Sequence, residues 1–298
     1  MRDPGSFLMP ENLPTFYKNM VCEFTLLFYN ETHAIQKERP MKTILTSSTL
    51  FWNGSLEEMF DRVYEQGYFG IELWAQHFFE KGYEEEAYYR LASLYPLQTY
   101  VHSCSWDLNL ASMNREIRQA SLEAVIASME LAKRLGSYEV TVHPGHMTME
   151  GSTEQYIENM KQPLNALAEV SEQLKVDVSL EIMEQEKKEF VTDMEMMRRI
   201  TGDLFEAFHY TLDTAHCSSV EEIFRNLEEN PGISKIHISN RKEGKLHTPL
   251  GQGDYDFRAL LPRLLSYGIP LVVEGYDDSA DFKIFKENSE FLKENGGI

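Results

Sequence analysis

The sequence has few cysteines and no apolar run of membrane length. Its 298 residues include only Cys22, Cys104 and Cys217, which are odd in number and widely spaced. They offer neither a disulfide framework nor a Cys-x-x-Cys zinc site, which favours a reducing, cytoplasmic setting. No stretch approaches the roughly 18 apolar residues that span a bilayer. The apolar segment at 21–29 contains Glu23 and follows no basic leader, so we predict no signal peptide and no membrane partner.

Basic residues are scarce relative to acidic ones. The chain has 28 Lys and Arg against 48 Asp and Glu, which gives a net charge of −20. A surface this acidic repels phosphodiester backbones and acidic membranes at long range, although a local basic groove is compatible with it. Nucleic acid is therefore a disfavoured partner. The hydrophobic content of 42% is ample for a packed core.

The first 40 residues differ from the rest of the sequence. They contain four prolines, mixed charges and one short apolar patch without a clean helical or strand period. We predict that residues 1–40 are a loosely ordered N-terminal extension, with a short helix at 17–28 as the one element that the patch allows. Residues 41–298 show no further change of composition and are expected to form a single domain.

From residue 42 onward, strand and helix patterns alternate eight times. Such alternation is typical of right-handed βαβ units around a parallel sheet, and eight units predict an α/β fold of the closed (β/α)8 TIM barrel type. The predicted strands are 43–48, 69–74, 98–103, 138–143, 176–182, 207–213, 233–239 and 270–275. The predicted helices are 55–66, 84–94, 114–135, 153–174, 192–200, 220–227, 257–267 and 281–293.

Four of the predicted strands carry a side chain that can bind a metal at or near the carboxyl end. Glu181, Asp213, His237 and Glu274 each follow an apolar run. In a TIM barrel the carboxyl ends of the strands meet at one rim. Three carboxylates and an imidazole together suit one divalent ion. An isolated inward glutamate is costly. The alternative is that Glu181 and Glu274 pair with a barrel Arg or Lys, but few cations lie near these strand ends.

Six of the nine histidines lie at or just beyond a predicted strand end. Any single histidine is more often a surface or hydrogen-bonded residue than a ligand, but convergence of six on one rim favours a functional site. Asp213-x-x-His216 alone is a weak motif, since Asp is also a common helix cap. The six histidines are His102, His143, His146, His216, His237 and His247.

The loop after the seventh strand is long and rich in glycine and proline. Residues 239–254 include Arg241, which suits hydroxyl or phosphate binding but equally suits a solvated loop position. Gly251-x-Gly253 allows close approach of the backbone to a ligand, although the pattern is common. The loop is therefore either functional or a tolerated insertion.

From residue 42 to the C-terminus the sequence resembles the xylose isomerase-like TIM barrel superfamily, which includes sugar and sugar-phosphate isomerases and epimerases as well as endonuclease IV. The motifs that carry this resemblance are Ile71-Glu-Leu-Trp74, Val101-His102, Asp107-Leu-Asn-Leu-Ala-Ser112, Val142-His-Pro-Gly145, Leu180-Glu181, Leu212-Asp-Thr-Ala-His216, Ile236-His237, His247 with Gly251-x-Gly253, and Val273-Glu274.

In the isomerase and epimerase branch, the resemblance implies one divalent metal (Mn, Mg, Co or Zn) held by Glu181, Asp213, His237 and Glu274. The two glutamates double as acid and base in proton transfer through a metal-stabilised enediolate. The implied substrate contacts are His216 and Arg241, and we add His102 and His247. A second metal at His102 and His143 is the alternative use of these two histidines.

In the endonuclease IV branch, which acts on abasic DNA, the resemblance implies three zinc ions. Their ligands are an aspartate two residues before His247, together with His102, His143, Glu181, Asp213, His216, His237, His247 and Glu274. Lys245 stands at the position of this aspartate, so one ligand of the third zinc is missing. Together with the net charge, Lys245 favours a sugar isomerase or epimerase over the nuclease. Ligand binding without turnover is a third option, and the resemblance leaves a homo-oligomer open. Substrate and metal identity are not legible in the sequence.

Overall fold

The structure is a computed structural model, and it describes residues 43–150 and 152–298. The predicted extension at 1–40, with its helix at 17–28, lies outside the described residues. The unit that contains the described residues runs from Lys42 to Ile298. In the described part, no helix combines the length and the apolarity needed to cross a membrane.

Eight parallel strands close into a barrel, which confirms the predicted (β/α)8 fold. The strand order around the barrel is β1-β10-β7-β6-β5-β4-β3-β2. The barrel strands β1 to β7 and β10 are Ile44–Ser47, Gly70–Trp74, Gln98–His102, Glu139–Val142, Asp177–Ile182, His209–Asp213, Ile233–Ile238 and Leu271–Val273. Each predicted strand overlaps one of them.

Helices follow the strands on the outside of the barrel. They are α1 to α9, at Leu56–Gln66, Ala75–Glu80, Glu85–Leu94, Arg115–Leu135, Thr153–Leu174, Met194–Thr201, Val220–Glu229, Phe257–Leu265 and Lys283–Glu294. Helix α1 begins with a capping box of Ser55 and Glu58 and ends at Gly67, whose φ of 87° is the left-handed conformation that glycine adopts without strain.

Several described elements were not predicted. The short helix α2 follows β2 directly, and 3₁₀ helices lie at Ser48–Phe51 after β1 and at Gly202–Ala207 before β6. The predicted loop after β7 contains an antiparallel hairpin of β8 (Asn240–Lys242) and β9 (Lys245–Thr248). Gly253 lies against this hairpin, and a Cβ there would be 2.2 Å from the Asn240 side chain. This glycine therefore serves the packing of the loop on β8.

Candidate metal centre and active site

The four predicted ligands meet at the carboxyl end of the barrel. Glu181, Asp213, His237 and Glu274 each offer one ligand atom, and these four atoms lie within 4.8 Å of one another. His237 Nδ1 is 2.9 Å from Glu274 Oε2 and 3.5 Å from Glu181 Oε1. Adjacent parallel strands in register place Asp213 beside His237. All four residues are buried.

Several atoms of this group have no protein hydrogen-bond partner among the described residues. They are Glu181 Oε2, Asp213 Oδ2, Glu274 Oε2 and His237 Nδ1. Buried polar atoms of this kind cost about 1–3 kcal/mol each when nothing pairs with them, and more when they are charged. A divalent cation held by this group would reduce that cost. The donor set of three carboxylates and one imidazole therefore fits a bound divalent ion.

A second ligand group adjoins the first through Glu181. Its other members are His102 and His143, whose Nε2 atoms lie 3.6 and 3.2 Å from Glu181 Oε2. His102 Nδ1 donates to the backbone oxygen of Ser103 at 2.8 Å, which leaves Nε2 free to bind a metal. Such a hydrogen bond on the far nitrogen is typical of metal-binding histidines.

A third ligand group contains Asp213, His216 and His247. His216 Nδ1 donates to the backbone oxygen of Ile182 at 2.9 Å, so its Nε2 is the free nitrogen. The Lys245 side chain is exposed on β9. The carboxylate of this third group comes from Asp213, so position 245 is not needed to form it.

A cleft of about 690 Å³ opens above these groups. Its volume lies within the range of about 300–1,000 Å³ that is common for small-molecule sites. Glu181, Glu274, His143, His216 and His247 reach the cleft. His102, Asp213 and His237 lie beneath it and are buried.

The cleft has one aromatic side and one polar side. Trp74, Trp106 and Tyr276 line the aromatic side, where Trp106 and Tyr276 lie 6.2 Å apart between ring centroids and are 40% and 46% exposed. The loops after β4 and β5 supply the polar side with His146, Glu184, Lys188 and Glu189. No sequence motif marked the last three as site residues, because a charged residue in a polar loop has no distinctive sequence signal.

Arg241 does not line the cleft, unlike the predicted substrate contacts His216 and His247. Its Nη1 donates to the backbone oxygen of Cys217 at 2.6 Å, and the side chain is absent from the cleft lining in the described chain. The guanidinium therefore joins the loop after β6 to the β8–β9 hairpin. The structure therefore does not place Arg241 among the residues that line the cleft.

Beneath the metal group lies a charged cluster inside the barrel. Lys235 Nζ is 2.9 Å from Glu72 Oε1 and 3.1 Å from Glu139 Oε1, and all three side chains are buried. The prediction that few cations lie near the strand ends overlooked Lys235. The sequence did contain a signal for Lys235. Lys235 and His237 are two residues apart in one strand, and this spacing places both side chains on the same face of the sheet.

The carboxylates around His216 and Asp213 shift the pKa values of both residues. Burial alone would lower the pKa of His216, but Asp213, Glu181 and Glu184 raise it from 6.5 to about 9. Burial and the Glu274 carboxylate raise the pKa of Asp213 from 3.8 to about 7, although His216 and His247 oppose this. Burial opposes ionisation of Glu274 too, yet His237 holds the pKa of that carboxyl below its ordinary range.

We expect metal to stabilise the protein more as pH rises. The pKa values of Asp213 and His216 are higher in the folded protein than in the unfolded chain. Their bound protons therefore stabilise the fold at low pH, and this stability is lost as pH rises from 3.8 to 7 for Asp213 and from 6.5 to 9 for His216. The metal-free protein should therefore have a lower Tm at pH 9 than at pH 6. Metal binding displaces the proton of Asp213, so metal affinity should increase as this group ionises.

The measurement is a pair of thermal scans, with chelator and with Zn²⁺ or Mn²⁺, at pH values from 6 to 9. A metal concentration 100 times Kd adds about 2.7 kcal/mol to the free energy of unfolding. A difference in Tm between loaded and metal-free protein that shrinks with pH would contradict the expectation.

The protein is a (β/α)8 barrel with candidate metal ligands, carboxylates and imidazoles, at the carboxyl ends of its strands. Residues 60–295 match the family model of the xylose isomerase-like TIM barrel. The chain belongs to this family, as its motifs predicted.

Its sequence relatives include an uncharacterised protein and an endonuclease. The chain is 26% identical to "Uncharacterized protein MJ1188" of Methanocaldococcus jannaschii, over 76% of this chain and 86% of that protein. It is also 26% identical to "Probable endonuclease 4" of Petrotoga mobilis, over 63% of this chain and 74% of that protein.

Two solved structures share the fold. A D-tagatose 3-epimerase-like protein matches with a TM-score of 0.72 and 22% identity, over 85% of this chain and 96% of that one. The IOLI protein, solved with a zinc atom, matches with a TM-score of 0.68 and 16% identity, over 85% of this chain and 96% of that one.

Proposed function

We propose that the protein is a divalent-metal-dependent isomerase or epimerase of a sugar, sugar phosphate or related polyol ketone. The observation that carries this proposal is the pair of Glu181 and Glu274. Both line the floor of the cleft, and both lie within 3.5 Å of the same His237 nitrogen. Two carboxylates beside one candidate ion provide a base and an acid at a single substrate position.

The two glutamates divide the proton transfer. One carboxylate takes the proton from the carbon next to the substrate carbonyl. The other returns a proton, to the opposite face of the same carbon in an epimerase or to the neighbouring carbon in an isomerase. The ion held by Glu181, Asp213, His237 and Glu274 would polarise the substrate oxygens and stabilise negative charge as it develops. Zinc is one candidate because of the zinc in the IOLI structure; Mn, Mg and Co suit the same ligands.

His216 would hold the substrate through an oxygen. Its raised pKa favours the protonated ring, and the Nδ1 bond to Ile182 fixes the ring so that Nε2 is the free donor. His247, which lines the cleft, is proposed as a further polar contact. His102 lies beneath the cleft, so a second ion held by His102, His143 and Glu181 is proposed as its role instead.

The shape of the cleft also supports a sugar. The rings of Trp106 and Tyr276 suit the apolar C–H face of a sugar, and the polar residues opposite suit its hydroxyl edge. The epimerase-like title of one structural neighbour agrees with this ligand class.

An endonuclease IV-like zinc phosphodiesterase is the second candidate. It is favoured by the three adjoining ligand groups and by the similarity to an endonuclease 4. Against it, the net charge is −20, and Glu184 and Glu189 line the cleft, where they would repel a phosphodiester.

One experiment separates these candidates. The metal-loaded protein is incubated in heavy water with a pool of ketoses and ketose phosphates, and in parallel with a duplex that contains an abasic site. We expect deuterium on carbon in one sugar and an intact duplex. Nicking of the duplex without any deuterium on carbon would overturn the proposal in favour of the nuclease. The absence of both reactions would overturn it in favour of ligand binding without turnover.

A further inference from the structure

His237 has carboxylates at both of its ring nitrogens. Nδ1 lies 2.9 Å from Glu274 Oε2 in the metal group, and Nε2 lies 3.0 Å from Glu72 Oε2 below it. A neutral imidazole carries one proton and can bind a metal only through the other nitrogen. Glu274 attracts the proton to Nδ1, which would block the metal ligand. Glu72 attracts it to Nε2, which leaves Nδ1 free.

Glu72 itself is held rigidly inside the barrel. Its Oε1 accepts a hydrogen bond from Thr141 Oγ1 at 3.0 Å and lies 2.9 Å from Lys235 Nζ. Both partners contact Oε1, whereas the other oxygen, Oε2, is the one that lies 3.0 Å from His237 Nε2. The side chains of Glu72, Lys235 and His237 are fully buried, so water does not compete for these contacts.

We propose that Glu72 is a positioning residue for the metal site, which keeps the proton of His237 on Nε2 and so presents Nδ1 to the ion. Lys235 compensates the buried charge of Glu72 and fixes its orientation. Carboxylates behind a metal-binding histidine act in this way in other proteins, and their loss typically lowers metal affinity about 10–100-fold. The inference rests on the metal site of the proposed function and is independent of the sugar chemistry.

The test compares Glu72→Gln with Glu139→Gln. Both glutamates are buried and both contact Lys235, but only Glu72 contacts His237. In Glu72→Gln the amide oxygen is expected to face Lys235 and Thr141, which are donors. The amide nitrogen then faces His237 Nε2 as a donor and favours the tautomer with the proton on Nδ1.

Metal affinity is measured by competition with a chromophoric chelator, using Zn²⁺ and Co²⁺ on the otherwise intact protein. We expect Glu72→Gln to bind each ion about 10–100-fold more weakly than the parent, whereas Glu139→Gln binds as the parent does. Glu72→Asp keeps the charge but withdraws the carboxylate from Nε2, so it should also lose affinity, and it replaces Glu72→Gln if that variant does not fold.

The outcomes separate this inference from the proposed function. Equal losses in Glu72→Gln and Glu139→Gln would mean that Glu72 supports only the barrel, and unchanged affinity in both Glu72 variants would remove its role altogether. Metal binding by the parent without any sugar turnover would overturn the proposed function and leave the positioning role intact. A parent protein that binds no metal would overturn both.

Discussion

Replacing Glu274 or Glu181 by Gln is expected to lower kcat for sugar isomerisation by at least about 10²–10⁴-fold, the range that general acid–base catalysis contributes. Each substitution keeps the shape of the side chain but removes the group that takes or returns the proton. In heavy water, the variant without the base should place no deuterium on carbon. The variant without the acid should exchange deuterium through the remaining carboxylate without converting the sugar. The measurement is turnover and exchange with the sugar identified from the ketose pool.

The glutamates are also proposed ligands, so metal content must be measured on the same samples. The experiment is carried out at metal concentrations that saturate each variant. Glu139→Gln is the matched control, because Glu139 is a buried barrel glutamate that contacts Lys235 and lies outside the ligand groups. Turnover at the parent rate in either saturated variant would rule out the two-carboxylate mechanism.

Replacing Lys235 by Met should lower the free energy of unfolding by about 3–5 kcal/mol, because one lysine compensates two buried carboxylates. Lys235 lies within 3.1 Å of both Glu72 and Glu139. Burial would otherwise raise the pKa of Glu72, yet Lys235 and His237 hold it well below its ordinary range. Without the ammonium, the two glutamates must be protonated or the barrel must open. Denaturant unfolding of the metal-free protein at pH 7 measures the loss.

The triple variant Lys235→Met, Glu72→Gln, Glu139→Gln provides the control. It removes the charges together with the cation, so it should recover most of the stability that the single substitution loses. A single-variant loss below about 1 kcal/mol, the usual value of an exposed ion pair, would mean that water reaches this cluster.

The barrel was predictable because its strands and helix ends carry local signals. Apolar runs such as 271–273 are typical of buried parallel strands, and glycines such as Gly67 and Gly136 end helices in the left-handed conformation. The β8–β9 hairpin lacked such a signal, since its strands have three and four residues and a largely polar sequence. Helix α2 was missed because it follows β2 with no intervening turn residue.

The convergence of the candidate ligands was predictable for a different reason. In a parallel barrel all strands end at one rim, so Glu181, Asp213 and His237 had to meet once the strands were recognised. Contacts deeper in the barrel depend on strand register and side-chain length, which a single sequence does not specify. The pairing of Lys235 with Glu72 and the contact of Arg241 with the Cys217 backbone are of this kind.

The three tryptophans of the chain all lie at the mouth of the barrel. Trp52 and Trp74 lie 4.7 and 6.3 Å from Trp106 between ring centroids, and Trp74 stacks on His102 at 3.9 Å with an interplanar angle of 8°. The tryptophan fluorescence of the protein therefore originates beside the candidate site. Any ion that binds His102 changes the charge against the Trp74 ring, so the unlabelled protein carries its own optical reporter of site occupancy.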